Sequence, residues 1–357
     1  MNRSERKSAA LSGSGSPQLR VPSPPEEHGA QWKVGLLDNG ATRLDDADRM
    51  DTEAAERVVA PGFPVRPVRL IEPFGRSSGP ELVGRAIAAE CEARWGQPVS
   101  IENHPGEGST VAPLLVARAS PDGHTLLINT SAHAYSAATN RDLPYDPLGD
   151  FIPVAALTSQ AYVLVASPTH ISSLRDLIEQ ARTKTAELMF GSTGVGTGTH
   201  IGIEKLNQLA GIAARHMPAS RGDAISDVVA NTARGETDYA MSPISIAEPL
   251  LRDHQLVALG VTTAQRCPLL PDVPTLSEAG VAGYDFKIWY GLWAPAGTPS
   301  STIVRIATDV SAVLVTPAVR ATLARHGADP IDMTQSDFAR FVLDEVETAA
   351  RIIEQTA

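Results

Sequence analysis

The sequence predicts an α/β protein of two lobes, each a mostly parallel sheet flanked by helices. Three observations lead there. From Pro67 onward, short apolar runs of strand length alternate with longer amphipathic stretches, the order that produces parallel strands joined by right-handed helical crossovers. The alternation runs twice, and the chain then returns through an aromatic-rich strand followed by closing helices. With 357 residues, of which 43% are hydrophobic, there is material for two cores. Two lobes crossed more than once by the chain are the usual form of a protein with a binding cleft.

Taken in order, residues 1–62 read as a disordered, atypical extension. SGSGSP, PSPPEE and DDADRMDTEAAER carry no sustained hydrophobic period and would bury too little apolar surface to offset the entropy of ordering, with a short helix around Asp51–Val58 as the exception. Pro67–Ile71 is the first strand, ending at Pro73-Phe74-Gly75. Glu81–Trp95 follows as a helix with Leu82, Ile87, Ala88 and Cys91 on one side. Val99–Glu102 is a strand, Val111–Ala119 a helix and Thr125–Ile128 a strand, with the Pro121-Asp122-Gly123 turn before it. The second round gives strands at Tyr162–Ala166, Leu188–Gly191, a run ending at His216-Met217-Pro218, Tyr239–Met241 and Leu256–Val261. Helices at Leu174–Thr183, Thr199–Ala210 and Ala224–Thr232 lie between them. Phe286–Ala294 is the returning strand, and Ile303–Thr316, Ala318–His326 and Ser336–Gln355 are the closing helices. The expected division is residues 63–166 with 290–357 as one lobe and 167–289 as the other, with hinges near Ala166-Ser167-Pro168 and Ile288-Trp289-Tyr290.

The most distinctive stretch is Arg266–Pro299, RCPLLPDVPTLSEAGVAGYDFKIWYGLWAPAGTP. Pro268, Pro271 and Pro274 fix three φ angles in a rigid connector, and Thr275–Gly280 reads as a short helix stopped by glycine. Other local patterns stand around it: Gly96-Gln97-Pro98-Val99 with Glu102-Asn103-His104-Pro105-Gly106, Ser120–Leu127, Leu143-Pro144-Tyr145-Asp146-Pro147 before Asp150-Phe151, and Gly191-Ser192-Thr193-Gly194 with Gly198-Thr199-His200. Together, and in this order, they closely resemble the signatures of the tripartite tricarboxylate transporter substrate-binding proteins, or Bug family, over roughly residues 65–355. The resemblance implies a periplasmic-binding-protein-like (Venus flytrap) fold that closes on a small organic acid and does no chemistry on it. It further implies a monomer without cofactor or metal, working with the membrane subunits of a transporter and located in the periplasm.

The same resemblance, with position at the strands' carboxyl edge and side-chain chemistry, gives the candidate ligand contacts. Phe74, Arg76, Ser77 and Ser78 come from the first loop, and Ser131 and His133 follow the third strand. Ser192, Thr193, Thr197 and His200 surround the glycine-rich loop, and Arg221 and Ser242 complete the set. Loop amides at a helix start suit a carboxylate, because they are unpaired donors at the positive end of the helix dipole. Plain readings stand beside these: Gly191–Gly198 as a tight turn, Arg76 and Arg221 as solvated loop arginines, His200 as a neighbour of a helix cap, and His133 turned away from the cleft. Glu107 and Asp223 either recognise a ligand amine or are simply exposed. The chain departs from the family in two places. Ser77 and Ser78 replace paired glycines and Glu81 replaces an aspartate. The segment after His216-Met217-Pro218 lacks the usual tyrosine and is about two residues short before Asp227.

Charge and motif content narrow the alternatives. A net charge of −11 without a Lys/Arg cluster argues against nucleic acid as a partner. No apolar run reaches the roughly 18 residues of a membrane span. Nine histidines show no HExxH spacing. Cys91 and Cys267 are expected as unpaired thiols unless folding brings their Cα atoms within about 7 Å. MNRSERK is a basic start, but SAALSGSGSP is too polar for the apolar core of a secretory signal, so a cytoplasmic location stays open beside the periplasmic one. A cytoplasmic carboxylate sensor on the same fold is then the alternative function. An α/β enzyme with Ser77 or Ser131 as nucleophile and His133 as base is the least favoured, since no GxSxG elbow occurs.

Overall fold

The computed structural model describes residues 62–76, 78–106, 109–140, 142–169, 171–183, 187–219 and 225–355. The expectations for residues 1–61, including the helix at 51–58, fall outside the described residues. The first part of the chain forms β1 (Val68–Glu72), α1 (Gly79–Trp95), β2 (Val99–Asn103), α2 (Val111–Ala117), β3 (Thr125–Thr130), α3 (Ala132–Thr139) and β4 (Phe151–Gln160). The middle forms β5 (Tyr162–Ala166), α4 (Leu174–Thr183), β6 (Leu188–Ser192), α5 (Gly198–Ala210), β7 (Ala214–Pro218), α6 (Ile225–Ala233), β8 (Tyr239–Pro243), α7 (Ile244–Arg252) and β9 (Val257–Val261). The last part gives β10 (Ile288–Pro295), α8 (Ser300–Leu314), α9 (Pro317–Arg325), β11 (Ala328–Pro330) and α10 (Gln335–Glu354).

Two sheets result, in the orders β11-β4-β10-β3-β1-β2 and β7-β6-β8-β5-β9. Both are mixed, less parallel than expected. β1 is parallel to β2 and β3, and β6 to β7 and β8, but β10 is antiparallel to β3 and β4, and β5 to β8 and β9. The reason lies in the crossings. β4 carries the chain out of the first sheet and β10 brings it back, so the two run oppositely and pair from Ile288↔Gln160 to Pro295↔Phe151.

The crossings also correct the expected lobe boundary and one hinge. β5 was expected in the first lobe, yet it is a strand of the second sheet, and only Ala161 separates it from β4. Ala166-Ser167-Pro168 instead lies at the far end of β5, where the Ser167 amide donates to the Asp238 carbonyl at 3.2 Å. A buried apolar run does not say which sheet it joins; its partners do. The expected helix at Thr275–Gly280 is a single turn, held by a reciprocal pair in which the Thr275 amide donates to Glu278 and the Glu278 amide to Thr275 Oγ1.

β10 alternates between two cores. Ile288, Tyr290, Leu292 and Ala294 join the larger one, and Trp289 and Trp293 join Phe338 and Val342 of α10 on the other face. Gly291 lies between the two tryptophans on that face, and a Cβ there would come within 2.5 Å of Phe338 Cζ. Glycine is what lets α10 sit against the strand. Both cysteines are buried and free, as expected.

Candidate functional site

The parallel strands β1 and β3, and β6, β7 and β8, each release a loop at the carboxyl end, the edge at which open α/β sheets bind ligands. Close approaches bring two of these loops together across the lobes. At Gly198, the first residue of α5, an added Cβ would sit 2.1 Å from Ile288 Cδ1 and 3.4 Å from Ser131 Oγ. At Gly196 it would sit 2.1 Å from Thr139 Oγ1 of α3. The glycine-rich loop thus lies on the β3–α3 junction. Ser131 is fully buried, its amide donates to the Trp289 carbonyl at 2.8 Å, and its Oγ finds no hydrogen-bond partner of good geometry. A buried unpaired hydroxyl is costly unless something else meets it.

Ser192, Thr193 and His200 build the loop rather than open from it. Ser192 Oγ accepts from the Gly194 amide at 3.0 Å and is 2.6 Å from His216 Nε2. The Thr193 amide donates to Thr199 Oγ1 at 3.2 Å, and the Gly196 amide to His200 Nδ1 at 3.2 Å. Because Nδ1 accepts, the proton of His200 is on Nε2, which faces Glu204 Oε1 at 3.7 Å. His200 and His216 stack at 4.2 Å, and burial lowers each to about 4, so both are neutral at pH 7. Thr197 caps α5, accepting from the His200 amide and donating to the Gly194 carbonyl at 2.8 Å. The first-turn amides of Gly198 and Thr199 have no acceptor within the helix, and Ser131 Oγ lies beside Gly198. Ser242, also fully buried, donates to the Pro243 carbonyl at 2.9 Å.

Gly196 has φ +78° besides its contact with Thr139. Gly196→Val is therefore expected to lower stability by about 2 kcal/mol, read as a shifted urea midpoint. Gly75→Ala, where a Cβ meets nothing within 4 Å, leaves the midpoint unmoved.

The first loop is organised by a residue that the sequence reading passed over. Glu72, the last residue of β1, is fully buried. Its carboxylate accepts from the Phe74 amide at 2.8 Å, from Ser78 Oγ at 3.3 Å and from Asn103 Nδ2. Burial pushes the Glu72 carboxyl up to about 7, against the lowering effect of those three donors. Ser78 caps α1 by accepting from the Glu81 amide at 3.1 Å. Arg76 is exposed and pairs with no acid among the described residues. Behind the loop, the Tyr290 hydroxyl abuts Gly79 and donates to Gln160 Oε1 at 2.9 Å, at the first crossing. A lone acid closing the apolar run VRLIE was the sequence signal for Glu72; Gln160 and Tyr290 gave none. Ser77, Arg221, Glu107 and Asp223 lie outside the described residues.

His133 is a correction. It faces the core, with ring centroids 4.6 Å from Phe151, 4.9 Å from Trp293 and 6.2 Å from Tyr145, and neither ring nitrogen has a partner. Burial lowers it to about 3, so it is a neutral member of an aromatic cluster. No Ser131–His133 pair exists to serve as nucleophile and base.

Two mixed sheets, crossed twice by the chain and touching through loops at their strand ends, define a two-lobed receptor of the binding-protein class. Residues 83–357 match the family model of the tripartite tricarboxylate transporter family receptor, and the chain belongs to that family of solute-binding receptors. A UPF0065 protein of Bordetella pertussis (strain Tohama I) is 32% identical over 305 residues, covering 85% of this chain and 93% of the relative. Among solved structures, Rpa4515 of R. palustris with adipate has 30% identity and a TM-score of 0.73, covering 82% of this chain and 98% of that one. MatC (Rpa3494) of Rhodopseudomonas palustris with bound malate has 32% identity and a TM-score of 0.71, covering 82% of this chain and all 100% of that one.

Proposed function

We propose that this receptor captures a small organic carboxylate between its lobes, in the periplasm and as a monomer, and presents it unchanged to the membrane subunits of a tripartite transporter. The observation that carries this reading is the buried Ser131 hydroxyl, which makes no hydrogen bond of good geometry and lies beside Gly198 at the start of α5. A carboxylate oxygen there would accept from the hydroxyl and from the Gly198 and Thr199 amides, at the positive end of the helix dipole. The first loop would meet the other end of the ligand through Phe74, Ser78 and Arg76, with Ser77 and Arg221 as further contacts. A guanidinium matches a carboxylate with two parallel hydrogen bonds. Thr197 supports the α5 end as its cap, and Ser192, Thr193, His200 and Ser242 support the loops from behind. The adipate and malate in the two solved relatives favour a dicarboxylate.

Ser192 and His216 have the spacing of a nucleophile and its base. We read them as scaffolding, because Ser192 is fully buried and its oxygen already accepts from Gly194.

A thermal-shift series on the full chain tests the proposal, using adipate, malate, citrate and their uncharged amides. A ligand at 100 times its dissociation constant stabilises the native state by about 2.7 kcal/mol. Saturable shifts from acids alone, with the acid recovered unchanged by NMR, are expected. Equal shifts from the amides, or turnover of the acid, would overturn the reading.

A further inference from the structure

The proposed first-loop subsite contains a carboxylate of its own. Glu72 takes up the Phe74 amide and the Ser78 hydroxyl, two of the donors that a ligand carboxylate would use at the start of α1. Its other oxygen is held by Asn103, the residue opposite it on β2. Two anions sharing one buried set of donors repel each other, and the usual resolution is that one of them is protonated. The surrounding charges do not supply a counter-ion. Glu81 on α1 is buried, adds negative charge near Glu72 and pairs with Arg85. On β2, Glu102 is held by Arg69 at 2.7 Å and lies 3.4 Å from His104 Nε2, so Arg69 is already paired. Arg76, exposed on the loop, is the remaining described cation nearby and the one that an incoming anion would engage.

We propose that Glu72 couples ligand capture to proton uptake: an organic anion that reaches Phe74, Arg76 and Ser78 is bound together with one proton, which comes to rest on the Glu72 carboxyl. The proposal rests on the reading that this loop holds a ligand carboxylate. Protonated Glu72 turns from a competing acceptor into a donor that can face the ligand oxygen, while its second oxygen still accepts from Asn103. Its pKa of about 7 in the free protein makes the coupling effective near neutrality, because binding then has a proton to recruit. The receptor would hold its ligand tightly at mildly acid pH and release it more readily in an alkaline setting.

Calorimetric titration of the full chain with adipate and with malate, between about pH 6 and pH 8.5 and in two buffers of different ionisation heat, reads the proton count directly. Wild type is expected to take up about half to one proton per ligand above pH 7, with affinity falling up to about tenfold per pH unit there. Glu72→Gln keeps the shape and a neutral acceptor, so it should bind with no uptake from this position and with a flat pH profile. Circular dichroism confirms that the variant is folded. Binding without proton uptake in wild type, or the same uptake in Glu72→Gln, would overturn the coupling and leave carboxylate capture standing. Binding of neither acid would overturn both.

Discussion

Replacing Asp309 with alanine is expected to destabilise the receptor by about 3 kcal/mol, without changing the affinity of the molecules that remain folded. Asp309 sits on α8 and is only 6% exposed. Oδ2 accepts from the Trp95 indole at 2.8 Å and from Arg305, and Oδ1 accepts from Arg94 Nε at 2.9 Å. It thus pins the end of α1 to α8, far along the chain. The two arginines are about half exposed and would return to water at little cost. The buried indole N–H of Trp95 would not, and an orphaned buried donor costs about 1–3 kcal/mol beyond the bond itself. Asp309→Asn keeps an acceptor for the indole and should lose about half as much. Burial raises the Asp309 carboxyl, but the bonds from Arg305, Trp95 and Arg94 outweigh it and hold the group below its ordinary value. A depressed carboxyl contributes stability above its unfolded pKa and loses it as the pH falls through the folded one. The gap between wild type and Asp309→Ala in urea should therefore be full at pH 7 and close progressively in acid, below about pH 4. A gap that is independent of pH would mean that packing, not charge, sets the loss.

Local signals carried much of the fold into view, and non-local ones did not. Leu174–Thr183 was legible because its apolar positions recur at helical spacing, and α1 because the pattern runs unbroken to a left-handed Gly96. α3 was not: Ala-His-Ala-Tyr-Ser-Ala-Ala-Thr is short, and no side chain caps its start. β4 was missed because its facing alternation is broken by register shifts against β10 at Tyr290/Gly291 and Leu292/Trp293. α7 carries Pro249 inside it, a residue that interrupts a helical pattern. The site divides in the same way. The resemblance pointed to the loops that meet, because motif order follows strand order. Position after β3 left His133 open between cleft and core, and a rotation decides it: α3 begins at Ala132, and two residues on a helix turn the side chain by roughly 200°, so one of Ser131 and His133 faces the other lobe and the other faces the core. Glu72 went unseen for a different reason. What makes it consequential is the pairing of β1 with β2, which places Asn103 opposite it, and the hydrogen bonds that the Phe74 amide and the Ser78 hydroxyl donate to its carboxylate.

Replacing Glu345 with alanine is expected to damage both stability and binding, and the contrast with Asp309 is what makes it informative. Glu345 lies on α10, and its Oε2 accepts from the Tyr135 hydroxyl and from the Trp289 indole, each at 2.7 Å. Both donors belong to residues only 2% exposed, so alanine strands two buried donors, for a loss of about 4 kcal/mol. Glu345→Gln leaves an oxygen to accept and should lose about 1–2 kcal/mol. The binding effect follows from what those donors hold. Trp289 is the second residue of β10, just past the return crossing, and its carbonyl accepts from the Ser131 amide at 2.8 Å. Tyr135 is one turn beyond Ser131, its amide bonded to the Ser131 carbonyl at 2.9 Å. Farther along α10, the Ile352 carbonyl accepts from Gln208 Nε2 of α5 at 2.8 Å, so the same helix also touches the lobe that offers the α5 amides. Glu345 therefore fixes the frame that aims Ser131 at α5. Calorimetry of folded Glu345→Ala at low temperature should find adipate or malate bound about tenfold more weakly, a change of about 1.4 kcal/mol, while Asp309→Ala under the same conditions matches wild type. Equal affinities in the two variants would mean that Ser131 is positioned by β3 alone, and that α10 closes the lobe without tuning the site.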